Sequence, residues 1–116
     1  MTNLAIVDKE AGEWKEHPRF QGILFKALVT RAENPYANIN VVRVPPGCTI
    51  GLHTHGEQIE TIYVLAGQSI FTLDGIEAPF HAGQIIAAPA GVEHSLRNEG
   101  TEMVELLTIF APPQGG

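Results

Sequence analysis

Two histidines one residue apart, His53 and His55, lie in the stretch GCTIGLHTHGEQIETIYVLAG from Gly47 to Gly67. In an extended strand alternate side chains share a face, so this pair projects to one side. Glu60 opens the β-branched and aromatic run Glu60-Thr61-Ile62-Tyr63-Val64-Leu65, which predicts the next strand. Two imidazoles and a carboxylate on neighbouring strands form part of a shell for a divalent metal. A third imidazole is available downstream at His94. Neutral imidazole and carboxylate suit Mn, Fe, Ni, Co or Zn, with ligand distances of about 2.0–2.2 Å. Four such ligands leave an octahedral ion with open positions, as chemistry at a metal requires.

The alternative is a metal-free fold whose histidines only hydrogen-bond. Glu57, two residues beyond His55, competes with Glu60 for the carboxylate role, but it lies in the loop Gly56-Glu57-Gln58, where a carboxylate is ordinarily solvated. His17 and His81 stand apart from the cluster, and a surface or turn position is the simpler expectation for each. Cys48 is an odd number of residues from His53, so an unbroken strand points it away from the metal, as a small buried residue.

The spacing carries a resemblance. Gly47, five residues, His53, one residue, His55, four residues, Glu60, six residues and Gly67 resemble the first cupin motif. Gly83, five residues, Pro89, one residue, Gly91, two residues, His94, three residues and Asn98 resemble the second, 15 residues after Gly67. The resemblance implies a double-stranded β-helix, or jelly-roll, barrel. It assigns His53, His55, Glu60 and His94 as ligands of one divalent transition metal, with Glu60 also a candidate to accept a proton. The superfamily it implies includes isomerases, dioxygenases, decarboxylases, lyases, sugar binders and storage proteins, so the reaction stays open.

Strand patterning leads to an all-β fold independently. Twelve glycines and eight prolines in 116 residues favour short strands and tight turns over helices. Strands are expected over 22–30, 38–44, through His53, from Glu60, over 68–73, 76–80 and 84–88, through His94, and over 103–110. Asp74-Gly75 between apolar runs is a strong hairpin signal. Residues 1–20, with Trp14, Pro18 and Phe20 as anchors, read as an N-terminal arm or short edge strand, and 21–116 as one barrel domain. Asn98 is expected to brace a turn through its side chain.

Parity then predicts the pocket wall. Thr49 and Gly51 should face inward with His53, Ile62 and Val64 with Glu60, and Leu96 with His94. Asn40, Val42, Leu106, Thr108 and Phe110 complete the wall, with Gln68 near the rim. Arg43 should point outward, and Lys26 and Arg97 are the remaining candidates for a cation in the pocket. With no cation clearly inside, a sugar-phosphate isomerase or oxalate-type decarboxylase is disfavoured. The expected function is a mononuclear metal enzyme, of dioxygenase or lyase type, acting on a small oxygen-containing molecule. Its rivals are a non-catalytic binding or sensing module and a barrel with a purely structural metal.

A net charge of −6 without a Lys/Arg cluster argues against a nucleic-acid surface. No apolar run reaches the roughly 20 residues of a membrane helix. A single cysteine and the lack of a basic, apolar leader favour the cytoplasm. The outward apolar positions Tyr63, Leu65, Leu107 and Ile109, with the arm, imply a homodimer.

Overall fold

Alternating burial along β-branched strands builds two facing antiparallel sheets in a computed structural model that describes residues 6–54 and 56–113. The strands are β1 (Lys15–Glu16), β2 (Leu24–Val29), β3 (Asn38–Val44), β4 (Thr49–His53) and β5 (Ile59–Ala66). They continue with β6 (Gln68–Leu73), β7 (Ile76–His81), β8 (Ile85–Ala88), β9 (His94–Arg97) and β10 (Val104–Ala111). One sheet runs β1-β2-β3-β10-β5-β8 and the other β4-β9-β6-β7. This is the expected jelly roll, with the two-residue β1 added to the nine strands predicted. No helix among the described residues is long and apolar enough to cross a membrane.

The inner faces bury Ile23, Val44, Val64, Phe71, Phe80, Val104 and Leu106 in one apolar cluster. In β5 and β10 alternate residues are buried, as a half-covered strand requires. The β6–β7 hairpin turns at Asp74 (φ 50°) and Gly75 (φ 80°), the two left-handed residues a type I′ turn needs. Asn98, 2% exposed, donates from its amide to the Val44 and Glu102 carbonyls and accepts from the Gly100 N–H, bracing its turn as expected.

Outside the barrel, the N-terminal segment is tied across β2 and β3. Lys26 donates to the Lys9 and Ala11 carbonyls at 2.7 and 2.6 Å, and Trp14 stacks on Arg43 and Lys26. Arg43 points outward as expected and meets its cross-strand partner Glu105 at 2.9 Å, while Lys9 reaches the other Glu105 oxygen at 2.7 Å. Burial is the largest influence on Glu105 and favours its neutral form. The Lys9 and Arg43 hydrogen bonds and charges outweigh it and hold the carboxyl below the usual range.

A depressed folded-state pKa gives stability that is complete above the unfolded value of about 4.3 and lost as pH falls through the folded one. Glu105→Gln should therefore lower stability by roughly 1–3 kcal/mol at pH 7. The deficit should shrink on acidification below about pH 4.3, as read from urea unfolding across pH. A constant deficit would mean the ion pairs contribute nothing. Gly67 tests the turn geometry: its φ is 89° and an added Cβ would stand 2.6 Å from the Met103 carbonyl oxygen. Gly67→Ala should cost roughly 2–5 kcal/mol, strain and overlap together. Gly83→Ala, at the same φ of 89° but with nothing within 4 Å of the new atom, should cost the strain alone.

Candidate metal centre

β4 and β9 pair so that His53 and His94 are direct neighbours in one sheet. Glu60 comes from β5 in the facing sheet, so its carboxylate meets the two imidazoles across the barrel. His94 Nε2 lies 2.8 Å and His53 Nε2 3.8 Å from Glu60 Oε1. The three residues are 2%, 9% and 7% exposed respectively for His94, His53 and Glu60.

Each ring is held from behind. His53 Nδ1–H donates to the Gly51 carbonyl at 2.7 Å, and His94 Nδ1–H to the Val92 carbonyl at 3.2 Å. A carbonyl only accepts, so both Nδ1 atoms carry hydrogen and both Nε2 atoms face the carboxylate. Burial is the largest influence on His94 and disfavours its charge. The bonds to Glu60 and the Val92 carbonyl, with the Glu60 charge, outweigh it and raise the pKa above the ordinary histidine value.

This donor set fits a divalent ion. One ligand atom from each of His53, Glu60 and His94 lies within 4.8 Å of the others. Metal–ligand bonds of about 2.0–2.2 Å place neighbouring donors roughly 3–4 Å apart. Backbone carbonyls on Nδ1 are the outer-shell partners that orient metal-binding imidazoles. The fourth expected ligand, His55, lies outside the described residues.

The group lies on the wall of a cavity of about 380 Å³, within the range of small-molecule sites. Asn40, Val42, Ile62, Leu96, Leu106, Thr108 and Phe110 all line it, as parity predicts. Val64 also turns inward, but into the core cluster. Four expectations need correction. Gln68 is exposed and borders a separate cleft with His81 and Asn98, because Ser69 and Phe71 are the inward positions of β6. Thr49 is exposed and Ile50 lines the cavity in its place, because the β4–β9 register shifts between Ile50 and His53 and breaks the parity. Neither Lys26 nor Arg97 enters the cavity: Lys26 holds the N-terminal segment, and Arg97 binds Glu77 and Glu99. His17, expected at a surface or turn, lines the cavity and packs on Phe20 at 4.9 Å.

Four of the wall residues that parity did not place come from one segment, His17, Pro18, Arg19 and Phe20. Phe20, named only as an anchor of the arm, lies 5.4 Å from the His53 ring. Arg19, exposed, is the one arginine or lysine on the cavity wall among the described residues, at a position where no cation was expected. The segment has no strand period, so parity could not assign it a face. His81 is exposed and Cys48 half-buried, packed against the core.

A family model described as a cupin domain matches residues 40–110. The chain is 34% identical over 69 residues to an oxalate-binding protein of Thermotoga maritima, a match spanning 60% of this chain and 57% of that protein. It thus spans little more than half of that relative. The crystal structure of a predicted oxalate decarboxylase from Thermotoga maritima superposes with a TM-score of 0.81 and 25% identity, covering 93% of this chain and 98% of the other. The polyketide cyclase RemF of Streptomyces resistomycificus gives 0.83 at 18% identity, over 95% and 80% of the two chains, a likeness of fold alone.

Proposed function

The chain belongs to the cupin domain family, and from that membership we propose that it binds one divalent transition metal on His53, His55, Glu60 and His94. A small oxygen-containing organic molecule would occupy the cavity beside the ion. The observation that carries this reading is the convergence of His53, Glu60 and His94 within 4.8 Å, buried, with both imidazoles anchored through Nδ1. When bound, the metal supplies Lewis acidity toward a ligand oxygen.

The chain's own residues do the rest. The Gly51 and Val92 carbonyls fix the ring orientations. Val42, Ile62, Leu96, Leu106 and Phe110 form an apolar wall that limits water around the ligand. Glu60 Oε1, 2.8 Å from His94 Nε2, holds a proton with that imidazole in the metal-free protein, and the proton must leave for the metal to bind. Turnover of dioxygenase or lyase type is the first reading. Reversible binding without turnover is the second, favoured because no acid or base beyond the metal group and His17 lies on the cavity wall among the described residues. The printed name of the oxalate-binding relative agrees with that second reading. The lone thiol Cys48 suits a reducing cytoplasm.

We read residues 1–20 as an arm on a barrel of residues 21–116, and two such barrels as a homodimer. Ile85, 62% exposed on the edge strand β8, continues across Tyr63 and Leu107 as one apolar row on three paired strands. An apolar edge row of this kind is covered most simply by a second copy.

Protein stripped by chelator should take up one equivalent of Mn, Fe, Ni, Co or Zn by elemental analysis. At 100-fold excess over Kd the ion should add about 2.7 kcal/mol of stability. Glu60→Gln and His94→Ala should weaken uptake at least as much as the roughly 10–100-fold that lost supporting groups cost. Undiminished uptake by either variant would refute the site. Sedimentation should show a dimer at micromolar concentration, and Ile85→Lys should shift it to monomer; a monomeric wild type would sink the dimer.

A further inference from the structure

The cavity wall carries one side chain of opposite charge to Glu60 whatever the pH. Arg19 lines the cavity, its guanidinium 5.2 Å from the Phe20 ring centroid. It makes no hydrogen bond or ion pair through that guanidinium among the described residues. The other arginines are all engaged: Arg31 with the Pro113 carbonyl, Arg43 with Glu105 and Arg97 with Glu77. Glu16, three residues from Arg19, accepts the Gly22 N–H instead. Arg19 is exposed, so its guanidinium is solvated in the empty protein and open to a ligand entering the cavity.

The segment around Arg19 is fixed. His17 N–H donates to the Ile23 carbonyl at 2.7 Å, and Ile23 N–H to the Phe20 carbonyl at 3.3 Å. Phe20 is wedged between His17 and His53. The Arg19 backbone N–H donates to His17 Nδ1 at 3.1 Å, so that nitrogen carries no hydrogen and the ring presents Nε2–H as a donor. A guanidinium carried on a fixed backbone segment and a neutral N–H donor on the same wall form the kind of recognition set that carboxylates use.

Resting on the cavity as the ligand site proposed above, we propose that Arg19 makes it selective for small carboxylates. The guanidinium pairs with one carboxylate group at the mouth and His17 Nε2–H supports it, while the remainder of the ligand faces the His53–Glu60–His94 end. The ligand class is a short mono- or dicarboxylic acid, and Arg19 is a specificity-determining residue on a segment outside the two histidine motifs.

Titration calorimetry with oxalate and malonate, against the neutral amides oxamide and malonamide, tests this on metal-loaded and metal-stripped full-length protein. Wild type should bind each acid at least about tenfold more tightly than its amide, the scale of a charge-assisted pair. Arg19→Gln should lose about that factor for the acids and nothing for the amides, with unchanged melting and metal content, and Arg19→Lys should recover part of it. Equal acid affinity in wild type and Arg19→Gln, or equal loss for acids and amides, would overturn the proposal. Failure of the metal site would register separately, as absent metal uptake. The Arg19 comparison in stripped protein would still decide the carboxylate question.

Discussion

A carboxylate buried 7% exposed inside an apolar barrel is the constraint on which the centre depends. Removing such a charge from water costs several kcal/mol unless a cation compensates it in good geometry. Glu60 has two sources of compensation, a proton shared with His94 or an ion gripped by both histidines. Either demands that strands from opposite sheets keep Oε1 and two Nε2 atoms within a few ångströms. The barrel is stiff where that demand falls. His53 and His94 are ladder partners, and Glu60 lies between Ala88 and Phe110 in the opposite sheet.

Stiffness also comes from behind the site. Imidazoles free to spin about their side-chain bonds would present either nitrogen to Glu60. The Gly51 and Val92 carbonyls remove that freedom, each two residues before the histidine it holds. Turns do the same at larger scale. Gly67, pressed against Met103 and Val104, sets the exit of β5, and Asn98 ties the end of β9 to β3 and to the turn before β10. These contacts explain why a barrel of this size can hold charged groups in its interior without opening.

Most of the barrel was legible because strands have a period of two, while the three described ligand candidates came from the motif spacing that carries the cupin resemblance. Glu60, Ile62 and Val64 alternate inward without interruption, and so do Leu106, Thr108 and Phe110. The method failed where the period failed. One register shift in β4 exchanged Thr49 for Ile50. Gln68, expected near the rim, is turned outward by β6. His17 and Arg19 were beyond reach for a different reason. Their segment folds against the cavity through an aromatic contact and backbone bonds to Ile23, none of which leaves a periodic trace.

Charge accounting connects the two halves of the site. A divalent ion held against the Glu60 carboxylate leaves one net positive charge, which a monoanion neutralises and a dianion overshoots. In a chain already at −6, that excess would repel ligand unless a second cation stood nearby. A fully buried arginine would supply it but would itself require compensation whenever the cavity emptied. Exposed on the cavity wall, Arg19 is solvated when no ligand is present and, in the role proposed for it, would lose water only as a carboxylate arrives. Placing that cation on an exposed segment would therefore leave the empty barrel stable while favouring an acidic guest, as proposed. Under the carboxylate role proposed for Arg19, this is a physical reason for such a residue to lie on the segment before β2 rather than on an inward-facing strand position.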